Sequence, residues 1–176
     1  MNNAVADLVD FFNSTNRRGF VITQSLDGFD RALSRGGEVF EICGNLDFMR
    51  CSKDCNTDLY PNTLVSAPEL NNLPTCPQCG ALCRPHILMS TEVCTEEYYQ
   101  SKSAEVRYED ADVVVIIGTQ SENRFAKTLA LQAQKRKKLV LEFNTDPQLM
   151  YGKVMVNRKP LLENFPRMVE MIKNHN

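Results

Sequence analysis

Short runs of consecutive apolar, often β-branched residues alternate along this chain with stretches whose apolar positions recur every three or four residues. Phe20-Val21-Ile22-Thr23, Val39–Ile42, Asp112–Ile117 and Leu139–Asn144 are of the first kind. They are apolar on both faces and bounded by Gly, Asp or Asn, which predicts strands of a parallel sheet covered on both sides. Lys153–Val156 is a weaker strand. Helical spacing appears at Val5, Leu8, Phe11 and Phe12 within residues 3–15, briefly at Phe29–Leu33, and at Tyr98, Tyr99, Ala104, Val106 and Tyr108 within 96–109. It returns at Phe125, Leu129 and Leu131, and closes the chain at Leu161–Lys173. Strands alternating with helices predict an α/β fold with a parallel sheet wound on both faces. In such sheets ligands bind beyond the carboxyl ends of the strands, where Gln24, Ser25, Asp27 and Cys43 stand.

Between residues 51 and 83 the periodicity stops. The segment Asn56–Pro74 is rich in Asn, Pro, Thr and Ser, reading as loop or weak hairpin, and it is flanked by Cys51-x3-Cys55 and Cys76-x2-Cys79-Gly80. Two close thiol pairs about twenty residues apart are what a tetrahedral four-cysteine zinc site requires, each pair forming one knuckle. Pro77 and Gly80 favour the tight backbone of the second knuckle. Disulfides fit less well, because seven cysteines is an odd number and such close neighbours make poor staples. Cys83 is a less suitable ligand than Cys79, which keeps the Cys-x2-Cys register. Four thiolates leave no coordination position for water, so the metal is expected to be structural. The domain reading is a main α/β domain from residues 1–50 and 84–176 with a zinc-binding module, 51–83, inserted.

Composition narrows the picture. The 176 residues, 43% hydrophobic and 24% charged with net charge −2, suit a globular chain and give no general attraction to nucleic acid. Within the cysteine segment Lys53 is opposed by Asp54, Asp58 and Glu69, so a nucleic-acid-binding zinc ribbon is not expected. No apolar run approaches the ~20 residues that span a bilayer, and Met1-Asn2-Asn3 begins no secretory signal. Free thiols point to a reducing intracellular compartment. Lys135-Arg136-Lys137-Lys138 reads as a solvated helix end whose charge complements the helix dipole. His86 and His175 are read as structural or solvated.

In their order, Thr23-Gln24-Ser25-Leu26-Asp27-Gly28, Glu41-Ile42-Cys43-Gly44-Asn45, the two cysteine pairs, Leu82-Cys83-Arg84-Pro85, Val115-Ile116-Ile117-Gly118-Thr119 and Leu141-Glu142-Phe143-Asn144 resemble the sirtuins, NAD-dependent protein lysine deacylases. The resemblance runs from about residue 20 to the C-terminus. It implies a Rossmann-like domain carrying a small zinc module, with Gln24, Asp27, Gly118, Thr119 and Asn144 at family-like cofactor positions.

The departures shape the functional expectation. No Gly-x-Gly turn precedes residue 28, so the chain is expected to lack the first strand and the glycine-rich phosphate cradle. The family's catalytic histidine falls on Cys43, a thiol of different basicity and shorter reach. The family's Asn becomes Ser25, the serine after Gly-Thr becomes Gln120, and the Phe-Gly-Glu segment is replaced around Met89-Ser90-Thr91-Glu92. These departures predict a catalytically inactive protein, a structural or accessory subunit of a larger assembly, with NAD not used. A partner chain would cover the incomplete sheet. The alternative is an NAD- or ADP-ribose-binding deacylase or sensor completed by a partner chain.

Overall fold

The computed structural model describes residues 10–12, 14–15, 18–34, 37–62, 73–119, 124–144, 154–157, 163, 167–168, 170, 172 and 174. Much of the predicted segments 3–15 and 161–173 falls outside these residues, as do Glu69, Gln120, Lys153 and His175. Residues 10–12 and 14 are helical, and so are the described positions 163, 167, 168, 170 and 172. Two compact units are distinguished, Val9–Ala104 and Glu105–Asn176.

In the first unit β1 (Phe20–Thr23) pairs in parallel with β2 (Glu38–Glu41), from Phe20↔Glu38 to Thr23↔Glu41. The crossover between them carries α1 (Phe29–Leu33). Phe20 and Phe40 meet edge to face, their ring centroids 6.3 Å apart. A turn at Ile42-Cys43 then reverses the chain into β3 (Gly44–Cys51), the centre of an antiparallel sheet in the order β4-β3-β5, with β4 at Tyr60–Pro61 and β5 at Cys83–Ile87. The apolar pattern did not predict β3 or β5. β5 contains Pro85, which lacks a donor and is tolerated because the strand lies at a sheet edge; Arg84 and His86 further mask its character.

The predicted helix at 96–109 is two helices, α2 (Glu96–Tyr99) and α3 (Ser101–Glu109). Gln100 separates them in the left-handed region at φ 50. The break is stabilised locally. The Glu96 carboxylate accepts from the Ser103 hydroxyl and from the Lys102 and Ser103 amides, serving the exposed donors that open α3. Those same bonds, the Ser103 hydroxyl first, hold the Glu96 carboxyl below its ordinary range.

The second unit is a three-stranded parallel sheet, β6 (Val113–Ile117), β7 (Leu139–Phe143) and β8 (Val154–Asn157), with β7 in the middle. The crossover helix α4 (Arg124–Lys135) buries Leu129, Ala130 and Ala133, while Leu131 faces outward. Val140, Leu141 and Phe143 of β7 are buried with Met168 and Ile172, each large apolar side chain contributing roughly 1.5 to 3 kcal/mol. β6 is the most hydrophobic strand by sequence, yet Val113–Ile116 are half-buried and Ile117 is exposed. Among the described strands it pairs with β7 alone.

The basic run has a structural use. Lys137 stands at φ 59 past the end of α4, and the amides of Lys138 and Lys137 return to the carbonyls of Ala133 and Gln134, the double bond of a Schellman cap. Lys138 Nζ donates to the Tyr108 and Glu109 carbonyls at 2.9 and 2.7 Å, a cation at the C-terminus of α3. Arg136 pairs with Glu109 at 2.9 Å. Among the described residues no helix is long and apolar enough to cross a membrane.

Candidate functional site

β3 ends on Cys51 and β5 begins on Cys83, the two paired across the sheet. The turns that leave β3 and precede β5 carry the predicted ligands. The sulfurs of Cys51, Cys55, Cys76 and Cys79 all lie within 4.8 Å of one another, with Cys51–Cys79 and Cys55–Cys76 both at 3.5 Å. A disulfide would require about 2.05 Å, whereas a tetrahedron with metal–sulfur bonds of about 2.3 Å sets its sulfurs roughly 3.8 Å apart. The four thiols therefore fit zinc. Left-handed residues make the turns, Asp54 at φ 49 and Gly80 at φ 70. The Gly80 amide bonds the Cys76 carbonyl at 2.9 Å, and the Lys53 amide points at the Cys51 sulfur at 3.4 Å.

The backbone also prepares the thiolates. The amides of Cys79 and Gln78 hold the Cys76 thiol down to about 6, and those of Cys55 and Lys53 lower Cys51. Cys55, whose proton is shared with Cys79 and Cys76, is raised. A bound cation would draw off the remaining protons. Cys83 is not one of the four; burial, then the nearby Cys76, Cys51 and Cys79 thiolates, pushes its thiol up.

Beside the cluster lies a charged hub that the sequence reading missed. The buried Arg50 guanidinium pairs with Asp54 at 2.9 Å and Glu92 at 3.0 Å, and sits over the Tyr98 ring at 4.1 Å. Glu92 also pairs with Arg84 and accepts from the Met89 amide at 2.9 Å. One carboxylate thus joins the strand before the first knuckle, the strand after the second, and the segment from Met89 to Glu92. The only signal in the sequence was the charge pattern Arg50-x3-Asp54 around the first cysteine.

His86, on β5, is buried and stacks on Tyr99 with centroids 5.3 Å apart and 8° between planes. Burial, then the charge of Arg50, lowers its pKa from 6.5. The unfolded chain takes up a proton in the ordinary histidine range that the folded chain refuses. Its contribution is therefore complete above that range and declines as pH falls through it. Urea unfolding is expected to show stability falling more steeply between about pH 7 and 5 in the native chain than in His86→Phe, the difference never exceeding about 1.4 kcal/mol per pH unit.

The other candidate residues divide between the two units. At the carboxyl ends of β6 and β7 the Gly118 amide bonds the Phe143 carbonyl at 3.0 Å and Asn144 Nδ2 donates to the Thr119 carbonyl at 2.6 Å. These bonds bring Gly118, Thr119 and Asn144 together. Gly118 stands at φ 61, and among the described residues nothing lies within 4 Å of where a Cβ would be, which leaves its backbone open on that side. In the first unit Gln24 is half-buried after β1 and Asp27 is exposed, its Oδ1 accepting the Phe29 amide at 3.1 Å as α1 begins. Asn45, fully buried, donates to Glu41 and accepts the Asp47 amide at 2.7 Å. Arg31 pairs with Asp47 at 2.8 Å and lies near Glu41 at 3.8 Å. Cys43 is half-buried, its thiol raised by burial and by the neighbouring Cys94.

A model of the Sir2 family matches residues 1–123. An NAD-dependent protein deacylase of Archaeoglobus fulgidus is 33% identical over 127 residues, 72% of this chain and 49% of the relative. One from Mycobacterium tuberculosis is 32% identical over 157 residues, 86% of this chain and 63% of the relative. The chain thus spans about half to two thirds of the length of these relatives. Among solved structures, a Sir2 homologue in complex with NAD superposes with TM-score 0.79 at 25% identity, over 98% of this chain and 64% of the other. These findings overturn the expectation of a protein that is not an enzyme: the relatives are named as NAD-dependent deacylases and the structural neighbour holds NAD. The expectation that NAD is not used likewise finds no support. With its parallel Rossmann-like α/β framework and its four-cysteine cluster, the chain belongs to the Sir2 family.

Proposed function

We propose that this chain serves NAD-dependent protein deacylation and holds the nucleotide at the carboxyl ends of β6 and β7, with Gly118 and Thr119 offering backbone and Asn144 positioning them. The observation that carries this reading is the open backbone at Gly118, held by the Asn144–Thr119 bond at the strand ends where parallel sheets bind nucleotides. Family membership and the NAD complex of the structural neighbour support it. Zinc at Cys51, Cys55, Cys76 and Cys79 has a structural part, bracing the two cysteine turns that flank β3 and β5. Gln24 and Asp27, in the first unit, keep the residue types of the family's cofactor positions.

The deacylase is completed by a partner chain. β6 supports this: among the described strands it lies at the edge of its sheet, and its consecutive Val and Ile, half-buried or exposed, suit addition of a further strand from another polypeptide. Calorimetric titration of the zinc-loaded chain with NAD and with ADP-ribose tests the nucleotide reading. Saturable binding at micromolar Kd is expected, weakened about tenfold in Asn144→Ala, whose lost bond frees the 118–119 turn. Absence of heat with both ligands overturns it.

A further inference from the structure

Three cysteines stand outside the metal cluster, Cys43, Cys83 and Cys94. Cys83 is paired across the sheet with Cys51, whereas Cys94 is seated on the turn that carries Cys43. The Cys94 sulfur lies 3.5 Å from the carbonyl oxygen of Ile42. That carbonyl belongs to the rigid peptide unit joining Ile42 to Cys43, so the sulfur is within roughly 6 Å of the Cys43 Cα. The same turn receives the Leu88 amide on the Cys43 carbonyl at 2.9 Å. The segment from Leu88 to Cys94 is thus fastened at both ends to the turn between β2 and β3. Both side chains are half-buried, neither sealed nor fully exposed.

We propose that Cys43 and Cys94 form a redox pair, closing to a disulfide on exposure to a peroxide and reopening with a dithiol reductant. One thiolate attacks the peroxide, becoming a sulfenic acid as the O–O bond breaks. The second thiolate displaces the hydroxyl from that sulfur, so two thiols and one hydrogen peroxide give one disulfide and two waters. The bond pins the Glu92-bearing segment to the turn carrying Cys43. The inference is independent of nucleotide binding.

The test uses the zinc-loaded full chain treated with hydrogen peroxide, then alkylated, digested and mapped by mass spectrometry, with zinc content measured in parallel. Expected are a Cys43–Cys94 cross-linked peptide, an intact mass lower by about 2 Da, retained zinc and full reversal by dithiothreitol. In Cys94→Ser, Cys43 is expected to progress to the sulfinic acid instead. The proposal is overturned if Cys43 and Cys94 remain free or oxidise separately in the native chain, or if either pairs with Cys83 or a metal ligand instead. The native chain alone decides the matter, so a poorly folding variant leaves the test intact.

Discussion

Stripping zinc from the four-cysteine cluster, or replacing Cys76 by serine, is expected to unfold the region from Cys51 to Cys83 and lower the melting temperature by at least about 10 °C. Among its described residues few apolar side chains are buried. β4 contributes two residues, and the buried apolar side chains near the turns are chiefly Met49 and the ligands Cys51 and Cys76. Four-thiolate zinc sites contribute on the order of 10 kcal/mol of apparent free energy, comparable with the whole stability of a domain. The damage should spread beyond the knuckles. Arg50 and Asp54 each adjoin a ligand, and Arg50 ties both to Glu92. Hydrogen exchange in the presence of a chelator is therefore expected to accelerate in β3, β5 and residues 88–92, while β7 keeps its protection. Unchanged exchange in β3 and β5 would assign the cluster no role in folding.

Gly44→Ala should be the most damaging single glycine substitution among those with positive φ. Gly44 sits at φ 85, and a Cβ there would press into the His86 carbonyl, with the carbonyl carbon at 2.9 Å and the Ile87 Cα at 3.0 Å. All of these obstacles are backbone, so no side chain can move aside. The β3–β5 pairing must open at Gly44↔Ile87. The expected loss is about 3 to 5 kcal/mol, from strain and overlap together. Gly118→Ala separates the two causes: it has a similar φ of 61 but no described residue within 4 Å of its Cβ position, and should cost only about 1 to 2 kcal/mol. Urea unfolding of both variants measures the difference. Equal losses would mean that conformation alone, without the close approach of β5, makes glycine necessary at position 44.

What the amino-acid pattern revealed followed physical simplicity. β1 and β6 are short runs of apolar and β-branched residues and β7 is one interrupted only by Glu142, and such runs have few alternatives. The cysteine cluster was legible because metal geometry restricts the spacing of its ligands. Gly118, Thr119 and Asn144 came from the family resemblance, and the structure brings the three together at the ends of β6 and β7. The rest depended on contacts distant in sequence. β3 mixes a reverse turn, a buried amide and charged side chains, and β5 hides behind Pro85. The break at Gln100 rests on Glu96 reaching forward to Lys102 and Ser103. The hub around Glu92 spans 42 residues to Arg50, beyond any local pattern. Cys43 was judged against a histidine in the same place, whereas its thiol neighbour Cys94 lies far along the chain and carried no signal.

The most direct measurement is amide chemical-shift mapping of the zinc-loaded chain titrated with ADP-ribose. Saturable shifts concentrated at Gly118, Thr119 and Asn144, and diminished in Asn144→Ala, are the expected result. A titration that leaves these three amides unmoved would contradict the assignment of the β6 and β7 ends to the nucleotide.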